Sequence, residues 1–505
     1  MNVHDVVDSF LLSAQTRPAA TAVSDARRDW TYRELEYAVR QFAGLFIRTR
    51  IQRVMIALPQ CGEAYAAMLG ALLAGITYAP FNVSAPAEKL LHIAELFDPD
   101  LIVADQACRT SLTHLRPHGY HIDPALVLSM PPLHGRGRCG TTAYVIFTSG
   151  STGTPKGVEI SRSALNHYIA WSVSTLCLNS EDRVSQYANI GFDLAVLEIY
   201  GALCSGATLC SFETKSDRLV PARRIAQLKL TIWISVPSVV SLMITSGEAI
   251  AAFLSSIRLF LFCGEPLLAH QVRAIFAACP YADVRNTYGP TETTVSMTEV
   301  RLTPENLALN CRSNVSIGEQ IPGMMLHLLG GPTVDEGEIV ITGPQLANGY
   351  WNNSEQTKLA FRDVEIDGCV ERAYFSGDWA ERIEGKLYFR ERLDFQVKFR
   401  GYRIELAAVS AAIRECGWPT ACVVKRHETL VALIECPRSA EFDEIQLRKA
   451  LAGKIESYCI PEIFRTIERL PRNANDKLDA KLSAALIEDL LGEENRNVTR
   501  RRSPG

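Results

Sequence analysis

The chain has no apolar run long enough to span a bilayer, and its opening stretch, MNVHDVVDSFLLSAQTRPAA, carries acids where a secretory leader needs a basic start. These absences set the expectation of a cytoplasmic protein without membrane insertion. A basic excess is missing too: 52 Lys and Arg face 56 Asp and Glu, for a net charge of −4. That balance argues against nucleic acid as a partner, since a polyanion calls for a cationic surface. None of the 14 cysteines is spaced C-x-x-C, and they scatter through apolar runs such as LFLFCGE. They read as reduced core residues, not as a zinc site or a disulfide frame. His427-Glu428 lacks the second histidine of a zinc protease. The G-x-G-x-x-G match at Gly135, Gly137 and Gly140 follows a Pro-Pro-Leu-His turn and precedes a strand, the reverse of a dinucleotide-binding context.

What is present is a chain of 505 residues, too long for one ordinary core, so two or more domains are expected. Short β-branched runs at 53–58, 100–105, 142–149, 231–236 and 257–264 alternate with helical patterns such as 33–50 and 63–75. That rhythm predicts parallel sheet covered by helices. After about residue 330 the texture changes to short strands and turns, at 337–343, 374–379 and 385–401. A last segment, 403–490, has helical patterns near 405–416 and 443–456 around strands at 421–425 and 429–435.

The densest chemical signal is Thr148-Ser149-Gly150-Ser151-Thr152-Gly153-Thr154-Pro155-Lys156-Gly157, directly after the strand AYVIF. Hydroxyls, glycines and a lysine supply side-chain donors, close backbone N–H groups and a counter-charge for a polyphosphate. It is not a Walker loop, because the G-x-x-x-x-G-K-[ST] spacing is absent.

This loop resembles the signature of the adenylate-forming (ANL) enzymes, which include acyl-CoA synthetases, luciferases and the amino-acid adenylation domains of peptide synthetases. The resemblance runs through nearly the whole chain, in order: W-T-Y-R-E-L (30–35), L-A-G-I-T-Y-A-P-F (73–81), the phosphate loop, F-D-L-A (192–195), N-T-Y-G-P-T-E (286–292), and G-E-I-V-I-T-G-P-Q-L-A-N-G-Y (337–350). Y-F-S-G-D-W (374–379), R-L-D-F-Q-V-K-F-R-G-Y-R-I-E-L (392–406), S-Y-C-I-P (457–461) and N-D-K-L-D (475–479) follow.

The resemblance implies an α/β fold: a large N-terminal domain, 1–392, of parallel and mixed sheets with helices and a distorted β-barrel holding the ATP and amino-acid site. A hinge at 393–394 (Asp394), a small mobile α+β lid at 395–490 and a disordered tail at 491–505 complete it. It implies ATP and Mg²⁺ as cofactors. Thr148, Ser149, Gly150, Ser151, Thr152, Gly153 and Lys156 would take the phosphates. Asn286 would hydrogen-bond the adenine and Tyr288 stack on it, Thr291 would contact the α-phosphate, and Asp378 and Arg392 would bind the ribose. Glu292 with Thr148 would hold Mg²⁺, and Lys477 would bridge the acyl carboxylate and the α-phosphate; Lys477, Glu292 and Thr148 are the implied catalytic set. Read without the resemblance, Thr291-Glu292 is a helix start after a Gly-Pro turn, and Lys477 is a solvated surface lysine. The chemistry asks for such residues, because a carboxylate must attack an anionic phosphate and positioning with charge neutralisation does most of the work.

Asp193 bears on which acid is activated. Amino-acid-activating members of the family carry an aspartate here for the substrate ammonium, and a buried carboxylate needs such a cation. The competing role is N-cap of the helix that follows. The remaining pocket positions implied by the resemblance are Leu194, Leu197, Ser238, Leu261, Cys263, Thr287, Val295 and Ser296, none of them charged. They suit a small amino acid. Within the family the stretches around Cys263 and 286–292 are most similar to the D-alanine–carrier protein ligases, in which a cysteine at this position crowds Cα and helps select the D-isomer. Implied partners are therefore a small amino acid and a separate carrier protein with a phosphopantetheine arm, since no carrier segment follows residue 490.

The alternatives are a ligase for L-alanine, glycine, serine or proline in natural-product biosynthesis, an acyl- or aryl-CoA ligase, and a catalytically silent scaffold. Glu391, Ala407-Ala408 and Asp476 depart from the family's usual Gly, Gly-Glu and Gly, so the thioester step is expected to be the more specialised one.

Overall fold

A computed structural model describes residues 5–106, 108, 120–133, 135, 137, 140–148, 154–366, 368–392, 396–400, 402–426, 429–436, 441–471 and 486–487. They fall into two compact units. The first comprises the described residues up to Val83, from Leu90 to Thr148 and from Lys156 to Arg392. The second comprises Ser84–Lys89, Thr154, Pro155 and the described residues from Gln396 on.

The larger unit contains a nine-stranded sheet with spatial order Glu319–Gln320, Thr298–Leu302, Asp283–Tyr288, Leu259–Phe262, Ile232–Ser235, Arg183–Gln186, Thr208–Ser211, Thr21–Ser24 and Asp29–Thr31. Its six central strands are parallel. Ile232–Ser235 and Leu259–Phe262 are buried along their whole length, as parallel strands covered on both faces must be. Four neighbouring parallel strands end on one edge at Gln186, Ser235, Phe262 and Tyr288. Asp193, Ser238, Cys263 and Thr291 follow within a few residues of those ends, where open α/β sheets bind ligands.

A seven-stranded sheet runs Gly349–Tyr350, Lys156–Ser161, Thr142–Thr148, Thr77–Pro80, Arg53–Ala57, Leu101–Ala104 and Tyr120–Ile122. Its first two strands are antiparallel to their neighbours, and Thr148 pairs with Lys156 across the hairpin. The third sheet is antiparallel and five-stranded, Met325–Leu329, Glu336–Thr342, Cys369–Ile383 and Phe361–Ile366, with Lys386–Arg392 also on the long strand. Register shifts at Glu338/Val340 and Trp379/Ala380 bend it beside Asp378.

Local chemistry explains the covering helices. Tyr32–Arg48 opens with a reciprocal box in which the Thr31 hydroxyl accepts the Glu34 N–H and the Glu34 carboxylate accepts the Thr31 N–H. Gly62–Ala74 and Leu194–Ser205 end on Gly75 and Gly206 at φ 76° and 79°, the left-handed conformation that stops a helix cheaply only at glycine.

The smaller unit pairs Gln396–Phe399 with Tyr402–Glu405, and separately orders Ala421–Arg426, Thr429–Glu435 and Ile463–Ile467 into a three-stranded sheet. Helices Leu406–Glu415 and Glu444–Ala452 share its core. The second helix stops short of the expected residue 456, because Gly453 caps it and Ser457–Cys459 forms only a 3₁₀ turn. Among the described residues no helix is long and apolar enough to cross a membrane, and no group of three or more His, Cys, Asp or Glu could hold a metal ion.

Candidate functional site

Asp193 stands at the N-cap position of Leu194–Ser205, yet its side chain makes no capping hydrogen bond. Its Oδ2 instead accepts the Thr291 hydroxyl at 2.6 Å, from a residue 98 positions away. Thr291 and Glu292 belong to a single 3₁₀ turn, Thr291–Thr293, and not to the helix start that the Gly-Pro context suggested. Gly289 admits the fold-back that follows: a Cβ there would lie 2.5 Å from the Ser296 Cα. Thr294 and Val295 then stand in the left-handed region at φ 58° and 72°.

Leu194, Leu197, Leu261, Cys263, Thr287, Val295 and Ser296 are all buried, and Ser238 is half-buried. Leu194, Leu197, Leu261, Cys263 and Val295 belong to one apolar cluster. The Cys263 thiol lies 3.8 Å from the Val295 carbonyl, the Thr287 hydroxyl donates to the Phe262 carbonyl at 2.9 Å, and the Ser238 N–H donates to Glu265 at 2.9 Å. The Ser296 hydroxyl shares a hydrogen bond with Tyr168 at 3.1 Å. Burial, with the neighbouring Cys263 and Asp193 as further causes, pushes the Tyr168 phenol well above its usual range, so it stays a neutral donor or acceptor.

On the other side of the Asn286–Glu292 motif, charges are paired. Asp378 is 2% exposed; one carboxylate oxygen accepts the Tyr288 hydroxyl at 2.6 Å and the other takes Arg392. Asp378 and Arg392 face each other in strand register, and Arg392 also donates to the Ser376 carbonyl at 3.1 Å. Burial and the adjacent Asp378 raise the Tyr288 phenol well above its ordinary value. Asn286 donates its amide to the Ser316 carbonyl at 2.9 Å, which orients the group and leaves Oδ1 buried with no hydrogen-bond partner among the described residues. An acceptor in that state fits the exocyclic amine of an adenine.

Thr148 and Lys156 close opposite sides of their hairpin, with the Thr148 hydroxyl 3.5 Å from the Lys156 carbonyl. The Lys156 ammonium sits 5.5 Å from the centre of the Tyr350 ring, and the Tyr350 hydroxyl donates to fully buried Glu292 at 2.8 Å. Ser149, Gly150, Ser151, Thr152, Gly153, Asp394 and Lys477 lie outside the described residues.

Sequence reasoning passed over Tyr168, Tyr350, Gln345 and Glu198. Tyr350 and Gln345 stand inside the G-P-Q-L-A-N-G-Y motif, so position pointed to them although their contacts did not. Glu198 is fully buried and accepts the N–H groups of Tyr187 and Ala188 at 2.8 and 3.1 Å, anchoring the loop that leads to Asp193. A glutamate inside the apolar helix LAVLEIYGAL was its only signal.

Comparison with known proteins agrees with this arrangement. The family model described as AMP-binding enzyme matches residues 10–351. The chain is 31% identical to the D-alanine--D-alanyl carrier protein ligase of Bacillus licheniformis, over 94% of this chain and 98% of that one. It is 30% identical to the ligase of the same name from Staphylococcus haemolyticus, with the same shares covered. Among solved structures, the Vibrio cholerae adenylation domain AlmE in complex with glycyl-adenosine-5'-phosphate superposes with a TM-score of 0.82 at 27% identity, covering 97% of this chain and 98% of that one. A match over most of the chain, with Asp193, Cys263 and Thr291 following the carboxyl ends of neighbouring parallel strands, shows that this chain belongs to the AMP-binding, adenylate-forming enzymes and is an ATP-using, acyl-adenylate-forming ligase.

Proposed function

We propose that the enzyme activates a small amino acid, D-alanine or one of similar size, as its aminoacyl-adenylate and passes it to the phosphopantetheine thiol of a separate carrier protein. The observation that carries the reading is the 2.6 Å hydrogen bond from Thr291 to Asp193. In an α-amino acid one carbon separates the ammonium from the carboxylate that attacks the α-phosphate. An ammonium anchor and an α-phosphate contact must therefore be neighbours, and these two side chains touch. An acid without an amine would leave Asp193 facing a ligand with no cation, a costly arrangement for a half-buried carboxylate.

ATP would place its adenine at Asn286 and Tyr288, its ribose at Asp378 and Arg392, and its phosphates along Thr148–Lys156 with Thr291. Glu292 and Thr148 would supply a carboxylate and a hydroxyl, oxygen donors of the kind Mg²⁺ takes together with phosphates. Bound there, Mg²⁺ would neutralise charge on the leaving pyrophosphate. Lys477 would neutralise the attacking carboxylate, and movement of residues 395–490 about Asp394 would then admit the carrier thiol.

A second reading, glycine as substrate, draws on the glycyl-adenylate held by the Vibrio relative. Both readings fit the buried, uncharged side chains of Leu197, Leu261, Cys263 and Val295, which would line the amino-acid site. The deciding measurement is amino-acid-dependent ATP–pyrophosphate exchange with D-alanine, L-alanine, glycine, serine and proline. A dominant D-alanine signal is expected. A dominant glycine, L-alanine, serine or proline signal keeps the reaction and changes the substrate, and silence with every amino acid overturns the reading.

A further inference from the structure

The turn that delivers Val295 and Ser296 to the pocket is built against local preference. Two successive β-branched residues, Thr294 and Val295, hold φ values of 58° and 72°, where branching at Cβ crowds the backbone. Such a conformation persists only where its surroundings over-determine it.

Gln345 supplies that constraint. It is fully buried, and its Nε2 lies 3.0 Å from the Ser296 carbonyl and 3.3 Å from those of Thr293 and Thr294. Carbonyl oxygens only accept, so the amide can face one way alone. Its Oε1 therefore meets His167 Nδ1 at 3.1 Å as an acceptor, and His167 carries a proton on that nitrogen. The main chain of Gln345 joins in, its carbonyl accepting the Thr294 hydroxyl at 2.7 Å. Two residues on, the Ala347 N–H donates to the Glu292 carbonyl at 2.8 Å. The helix that carries His167 also presents Tyr168 to the Ser296 hydroxyl. The turn is thus held both by Gln345 and by Tyr168.

We propose that Gln345 is a positioning residue for amino-acid selection, acting through Val295 and Ser296 by pinning their strained turn with one shared amide donor. This rests on the amino-acid reading of the pocket. A side chain that merely filled space could be replaced by any other of its length, whereas an amide donor to three carbonyls and acceptor from His167 could not.

The test compares wild type with Gln345→Met and Gln345→Glu by ATP–pyrophosphate exchange between pH 5.5 and 8.5, together with hydrogen–deuterium exchange of the peptide spanning 289–297. Gln345→Met keeps the length and removes the donor. It is expected to raise the amino-acid KM about tenfold, leave the ATP KM within about twofold, admit larger amino acids and speed deuteration of 289–297 but not of the strand Leu259–Phe262. Gln345→Glu keeps the shape but turns a carboxylate toward the carbonyls. Its defect is expected to shrink as the pH falls and the carboxyl regains a donor proton, while that of Gln345→Met stays unchanged. Equal shifts in both KM values, no shift in either, or identical pH profiles of the two variants would overturn the inference. Should wild type exchange with no amino acid, the functional reading fails by itself. Deuteration then decides the role of Gln345, and unaltered protection in both variants rejects it.

Discussion

The two halves of the candidate site hold their residues by different means. On the side proposed for the nucleotide, Asp378, Arg392 and Tyr288 form a buried triad, with Asp378 opposite Arg392 in register beside the irregularity at Trp379/Ala380. On the side proposed for the amino acid, neutral hydrogen bonds from Gln345 and Tyr168 pin a strained turn, and Asp193 accepts a hydroxyl. A buried charge pair between neighbouring strands is intolerant of substitution, whereas a turn held by neutral contacts can be re-cut by changing one side chain. In the proposed function, one half would hold the invariant nucleotide and the other the amino acid.

Two substitutions can undo that contrast, and a pH test away from both halves sets the scale beside them. The largest effect is expected for Asp378→Asn, which strands the largely buried Arg392 guanidinium without its counter-charge. Breaking a buried pair from one side costs about 3–5 kcal/mol, so denaturant unfolding should reveal that loss and the ATP KM should rise with it. An equal rise in the amino-acid KM would mean that the two halves do not act separately.

Asp193→Asn comes next. The proposed ammonium anchor loses its charge while the Thr291 hydroxyl keeps an oxygen to bond. Amino-acid-dependent exchange should fall by about 10- to 100-fold, the worth of a charged hydrogen bond at roughly 1.5–3 kcal/mol, with nucleotide affinity by calorimetry unchanged. Retained exchange would remove Asp193 from the site.

The smallest effect concerns acid stability away from both halves. Burial alone would raise Asp182, but hydrogen bonds from Arg258, the Asn179 N–H and Thr231 outweigh it and hold its pKa below the usual carboxylate value. A depressed folded pKa means the stabilisation is complete above the unfolded pKa of about 3.9 and disappears as the pH falls through the lower folded value. Every tenfold gain in acidity on folding is worth about 1.4 kcal/mol. Chemical denaturation from pH 6 to pH 2.5 should show stability falling, and Asp182→Asn should flatten the fall. An unchanged acid limb would assign the acid sensitivity to other carboxylates.

Much of the architecture was legible locally. The apolar runs near 231–236 and 257–264 are buried parallel strands because continuous β-branched and aromatic residues leave no face for water. Motif order led to the family, since hydroxyls, glycines and a lysine in sequence answer directly to a polyphosphate. Boundaries were harder to read, as the early stop at Ala452 illustrates, for glycine ends a helix whose apolar period continues beyond it.

Other features had no local signature. Cap and ligand roles ask for the same residue at Asp193, so only the contact from Thr291 distinguishes what the side chain does. Nothing in T-T-V-S announces consecutive left-handed residues, because β-branched side chains disfavour that region until distant groups enforce it. Gln345 is a residue in a motif until folding brings it against carbonyls some 50 residues away. The sheet-and-helix rhythm, the family and the chemical type of the site were written in the chain, because those depend on residue character and spacing along it. Folding alone decided which oxygen meets which donor and where strain is held, because those depend on contacts between segments far apart in the chain.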